Sequence, residues 1–126
     1  MTASSVAADF VTAIAQLDLP GAAALLHPET DFRAMTPNRV WEATTPGEVE
    51  AVLRGWFADP SETVEEITAT EPATIGDVAR VGWLVRISDA GGAFVFEQQA
   101  YIRERDGQID WMRLICSGWR PRSDPQ

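Results

Sequence analysis

Gln98 stands in an alternating run, Phe94, Phe96, Gln98, Ala100 and Ile102, where every other member is apolar. A buried amide without a partner costs about 1–3 kcal/mol. Gln98 therefore needs a hydrogen-bond partner, either the carbonyl or hydroxyl of a bound molecule or a group of the protein itself. Cys116 falls in the phase of the returning strand that opposes this run. A thiol in apolar surroundings resists ionisation, so packing or pocket lining outweighs nucleophilic chemistry. His27, followed by Pro28, is a titratable group or a cation at a helix C-terminus. Glu42 follows Trp41; beside an aromatic a carboxyl can serve as general base, and otherwise it is a solvated loop residue. Asp31 and Arg33 share a strand phase and pair with each other or face water. The candidate catalytic set is Gln98, Glu42 and His27. The candidate ligand contacts are Trp41, Trp56, Trp83, Phe94, Phe96, Gln98, Met112, Leu114 and Cys116.

Composition removes several classes of function. The chain has 126 residues, the length of one domain, and a net charge of -9. Phosphate backbones and anionic membranes would repel such a surface, which argues against nucleic-acid and membrane partners. One Cys and one His cannot form an internal disulfide or a zinc site of the usual ligands. No metal and no bound cofactor is therefore expected. No signal peptide or membrane span is read, and a cytoplasmic location follows.

The elements that must position these residues follow from periodicity. Val6, Phe10, Ala13, Ile14 and Leu17 make one helix face, capped by Ser4 or Ser5. Asp18 caps a second, short helix ending at His27. Asp31 to Met35 is a short strand, Pro37-Asn38 a turn, and Val40 to Glu42 its return. Thr45-Pro46-Gly47-Glu48 is a capping box opening a third helix with Val49, Val52, Leu53, Trp56 and Phe57 as its stripe. Gly55 sits on that helix, where close packing would explain a glycine. The period then becomes two. Glu62 to Glu71 is a strand. Asp77 to Ser88 is another, with Ala79, Val81, Trp83, Val85 and Ile87 on one face.

A hairpin follows, from Gly92 to Glu104, turning at Arg105-Asp106-Gly107 and returning from Gln108 to Trp119. A three-residue loop with a bulged glycine places Ala100 opposite Met112, Gln98 opposite Leu114 and Phe96 opposite Cys116. One face carries Phe94, Phe96, Gln98, Ala100, Ile102, Met112, Leu114 and Cys116. The other carries Val95, Glu97, Gln99, Tyr101, Arg103, Ile109, Trp111, Arg113, Ile115 and Trp119. Residues 1–119 form a single domain and 120–126 a polar tail. The class is α+β: three N-terminal helices packed in the concave face of a curved, mainly antiparallel sheet, a cone with one pocket.

This order, from Val6 to Trp119, resembles the nuclear transport factor 2-like superfamily of SnoaL-like, cystatin-like cones. Three stretches carry the likeness: Ala22-Ala23-Ala24-Leu25-Leu26-His27-Pro28, Pro46-Gly47-Glu48-Val49 and Arg105-Asp106-Gly107-Gln108-Ile109. The resemblance implies isomerases, dehydratases, cyclases, epoxide hydrolases or non-catalytic binding modules, and fold does not choose among them. The ketosteroid isomerase branch needs a Tyr and two Asp where this chain has Ala13, Ala34 and Ala100. Scytalone-dehydratase-like sites need two His. Limonene-epoxide-hydrolase-like sites need an inward Asp-Arg-Asp set, and no strand here supplies Arg-x-Asp in that phase. The expected function is binding of a hydrophobic small molecule in an apolar cavity, with or without cofactor-independent catalysis. The alternative is a non-catalytic ligand-binding or dimeric interaction module. The aromatic outer face, with Tyr101, Trp111, Ile115 and Trp119, is expected to pair two copies.

Overall fold

The computed structural model describes residues 5–122. Ser4 and residues 123–126 of the expected tail lie outside them. Three helices precede most of the sheet: α1 (Val6–Ala15), α2 (Leu19–Ala24) and α3 (Pro46–Phe57). Eight strands follow the order β2-β1-β7-β6-β5-β3, with β4 paired to β5 and β8 to β6. Their ranges are β1 Leu26–Thr36, β2 Arg39–Ala43, β3 Glu62–Ala69, β4 Ala73–Ile75, β5 Val78–Asp89, β6 Gly92–Arg105, β7 Gln108–Cys116 and β8 Arg120–Pro121. All pairings are antiparallel except β1 with β7. The fold is thus the expected α+β cone, with helices on the concave face.

Capping starts each helix where the sequence implies. Ser5 accepts from the Ala8 N–H at 3.1 Å, Asp18 from Gly21 at 2.9 Å, and Thr45 from Glu48 at 3.2 Å. Glu48 reaches back to the Thr44 N–H at 2.9 Å, one residue beyond the usual box. Helix ends differ from expectation. Leu17 takes φ 57° and is 42 % exposed, so it terminates α1 rather than extending its face. The second helix stops at Ala24, with Leu25 as its C-cap, and His27 is already inside β1. Pairing with β7 overrides the short helical reading and lengthens β1 well before Asp31. Short β4, absent from the sequence reading, folds back on β5 across Gly76, which takes φ 60°.

The β6–β7 hairpin needs a correction. Its loop is two residues, Asp106 at φ 56° and Gly107 at φ 79°, the positive pair of a type I′ turn. Arg105, not Glu104, therefore opposes Gln108. Asp110 is then an extra residue between the pairs Arg103↔Trp111 and Glu104↔Ile109, a β-bulge. Loop and bulge each move the register by one. Ala100 opposes Leu114, and Gln98 opposes Cys116. Two single shifts restore the face, so the inward set survives although every partner in it changed. The bulge also turns Ile109 inward, where it is fully buried, contrary to its expected outward position. Thr30, itself buried, donates from its hydroxyl to the Ile109 carbonyl at 3.0 Å and seals the irregular start of the β1–β7 pair.

The core lies between helices and concave sheet. Phe10 and Ile14 of α1, Val49 and Leu53 of α3, and Trp83, Val85 and Ile87 of β5 are fully buried. The phase of β5 is as the alternation implies. Pairing continues through Arg120–Pro121 against Val95 and Phe94, two residues into the segment read as tail.

Gly107→Val keeps ample space but places a branched side chain at a left-handed position. It is expected to cost at least ~1 kcal/mol. An unchanged urea midpoint would contradict the turn described here.

Candidate functional site

One end of the cone holds a cavity of about 310 Å³. The β1–β2 turn supplies Thr36 and Pro37, β2 supplies Trp41, and the last turn of α3 supplies Gly55 and Trp56. Glu62 opens β3 on another side. Phe96 and Gln98 come from β6, and Cys116, Gly118 and Trp119 from the end of β7 and the bend after it.

Gln98 is 1 % exposed and lines this cavity. Its Oε1 accepts from Trp83 Nε1 at 2.8 Å. An indole N–H only donates, so the amide oxygen must face Trp83 and the NH₂ must face away. Among the described residues that NH₂ has no acceptor. Thr36 repeats the device: its Oγ1 accepts from Trp41 Nε1 at 2.8 Å, which leaves its O–H to point elsewhere. Trp56 Nε1, in the cavity wall, is buried without a partner among the described residues. Gln98, Thr36 and Trp56 therefore offer donors to the cavity.

Among the described residues Glu62 is the one carboxylate of the lining. Burial, and then the negative charges of Asp59 and Asp89, push its carboxyl above the usual value of 4.5. Glu65 on the same strand goes the other way: hydrogen bonding from Ser88 first, then from Arg122, holds it below. Asp59 is lowered chiefly by the Ser61 N–H, and then by the Ser61 hydroxyl. It thus stays ionised beside Glu62.

The expected residues separate on this geometry. Trp41, Trp56, Phe96, Gln98 and Cys116 reach the cavity. Trp83, Met112 and Leu114 are core beneath it, Trp83 tilted against Phe10 at 6.1 Å. Phe94 sits behind Trp119, ring centroids 5.1 Å apart. Cys116 Sγ accepts the Gly118 N–H at 3.5 Å. Glu42 is exposed and pairs across the strands with Arg33, away from the cavity. His27 lies at the opposite end of β1. Its Nδ1 accepts the Glu29 N–H at 3.0 Å and lies 3.1 Å from Arg105 Nη2, so its lone pair is engaged there. Neither Glu42 nor His27 meets Gln98, so that trio forms no single site. Asp31 does pair, with Arg113 through two 3.2 Å contacts and more loosely with Arg33.

Trp119 is the largest departure. Strict alternation puts it outside; the structure turns it inward, stacked on Phe96 at 6.5 Å and 3°. Ser117 donates its N–H to the Glu97 carbonyl at 2.8 Å and accepts the Glu97 N–H on its hydroxyl. Gly118 then takes φ 81°, with a notional Cβ only 2.6 Å from Pro37 Cγ. That bend ends the alternation. Gly118 was its signal in the sequence, as the shared phase of Glu62 and Val64 was for Glu62. Close packing does not account for Gly55: nothing lies within 4 Å of a Cβ there.

No family model and no curated protein matches the chain. Solved structures match well. An epoxide hydrolase of limonene-epoxide-hydrolase-like type from Mycobacterium tuberculosis is 12 % identical at TM-score 0.64, covering 89 % of this chain and 80 % of that one. A ketosteroid-isomerase-like protein from Catenulispora acidiphila, solved with trimethylamine, is 13 % identical at TM-score 0.68, covering 90 % and 85 %. A nuclear transport factor 2-like protein of unknown function from Burkholderia pseudomallei is 19 % identical at TM-score 0.67, covering 86 % of each. At these identities the likeness shows the fold.

A carboxyl raised on folding stabilises the protein below its unfolded value and loses that advantage as pH rises through the folded one. Glu62→Gln is therefore expected to melt at or above the wild-type temperature at pH 7, and this relative gain is expected to vanish below pH 4. A lower melting temperature at pH 7 would mean that Glu62 has a cationic partner. Gly118→Ala is expected to cost more than ~1 kcal/mol and to red-shift tryptophan emission as Trp119 leaves Phe96.

Proposed function

From the nuclear transport factor 2-like fold of this chain, we propose that it binds a small, largely apolar molecule in the cavity at the open end of the cone. The observation that carries this is Gln98, buried, fixed by Trp83, and left with a donor that no described residue accepts. A ligand carbonyl or hydroxyl oxygen satisfies that donor. The rings of Trp41, Trp56, Phe96 and Trp119 supply the apolar contact. Binding needs only these groups. A cofactor-independent isomerase, cyclase, dehydratase or hydrolase on the same site would in addition require Glu62 to move a proton.

A second observation supports a homodimer. Met35, Val40 and Ile115 are 52 %, 58 % and 50 % exposed on the outer face. They are direct neighbours, since Met35 pairs with both Val40 and Ile115. Further along β7, beyond Arg113, Trp111 lies 4.7 Å under both Arg103 and Arg113. A contiguous apolar patch with an aromatic and arginine rim suits a second copy. Trp119 drops out of that surface.

Native mass spectrometry of protein from its own host, before and after solvent extraction, tests the first reading. A retained small molecule is expected. Gly55→Leu fills the cavity from a helix position with free space and is expected to abolish retention while the protein stays folded. Retention unchanged by Gly55→Leu would place the ligand elsewhere. Ile115→Asp is expected to convert a dimer to a monomer; a wild-type monomer would overturn the pairing.

A further inference from the structure

We propose that the cavity selects a ligand bearing a cationic nitrogen, an alkylammonium group, with Glu62 as counter-ion and aromatic rings as walls. This deepens, and rests on, the ligand-binding reading above. Among the described residues no Arg or His lines the cavity, although the lining includes the Glu62 carboxylate. The charged groups that act on Glu62 are Asp59, from the turn before β3, and Asp89, from β5, both negative. Neither is among the cavity's lining residues, and each is held by its own turn: Asp59 Oδ1 accepts from Ser61 and Asp89 Oδ1 from the Gly91 N–H. On α3, the adjoining Arg54 is engaged by Glu50. Among the described residues Glu62 thus has no ion-pair partner.

The aromatic walls supply the second half of the recognition. Trp41 and Trp56 meet at 89° with centroids 5.9 Å apart, forming a corner. Phe96 and Trp119 stack in the same lining. Ring faces attract cations through their quadrupole, most strongly those of Trp. Trp41 already acts as such a platform on one side, where the Arg39 guanidinium lies 3.5 Å from its centroid. Indole rings, a half-buried carboxylate without a partner and a chain of net charge -9 all favour a positive guest. An oxygen on the same guest reaches the Gln98 donor.

The pH dependence follows in sign. Burial and acidic neighbours raise the Glu62 carboxyl, and a bound cation pulls it back down. Binding therefore releases a proton in the interval between the two values, and affinity rises with pH across that interval and levels off above the upper one.

Choline and its neutral carbon isostere 3,3-dimethylbutan-1-ol are suitable probes, because they share shape and hydroxyl and differ in charge. Tryptophan fluorescence and calorimetric titration of the whole chain at pH 7 are expected to show choline binding about tenfold more tightly. The preference is expected to disappear in Glu62→Gln and to shrink towards pH 4. Equal or tighter binding of the alcohol, a preference that persists in Glu62→Gln, or no binding of choline would each overturn the proposal. Alcohol binding that Gly55→Leu abolishes would still leave the cavity a ligand site, so the two readings fail separately.

Discussion

The hydrogen bond from Trp83 to Gln98 determines what the rest of the cavity can be. It joins two adjacent central strands inside the core, at paired positions of β5 and β6. Because indole nitrogen cannot accept, the amide has one permitted orientation, and its donor end meets the cavity. A reversed amide would leave two N–H groups facing and cost at least one buried hydrogen bond. The polarity that this part of the cavity wall presents is thus set by Trp83, which does not itself line the cavity. Trp41 imposes the same condition on Thr36 at the mouth.

Around that fixed donor the charge is arranged unevenly. Two glutamates near the start of β3 titrate in opposite directions, since Glu65 meets Ser88 and Arg122 while Glu62 meets buried surface and two further acids. Glu65 is itself the extra residue of a bulge between Val64 and Glu66. The arrangement leaves Glu62, among the described residues, without a cation beside it in the lining that also holds the donors of Gln98, Thr36 and Trp56.

Much of this was legible in the sequence, and the misses share a cause. Period-two runs identified β5 and the inward face of β6, and Gln98 was visible as the polar exception. Thr45 and Asp18 marked their helices. Alternation, however, holds only while a strand stays regular. It failed at Asp110, turning Ile109 inward, and at Ser117-Gly118, turning Trp119 inward. His27 and Glu42 were grouped with Gln98 by residue type, but their spatial separation depends on β1 pairing in parallel with a strand far along the chain. No local pattern encodes that pairing. Glu62 was passed over because its setting is made by Asp59, Asp89 and the cavity wall together.

The hairpin's compensating irregularities give it a parity. Its short loop and its one extra residue at Asp110 each offset the strands by a single position. Met112 and Leu114 face the core only because these offsets come as a pair. Deleting Asp110 alone would force either the loop or the whole distal strand to turn its inward side out. Insertions and deletions in this segment are therefore tolerated in twos, and a single-residue gap is a far graver change there than a substitution.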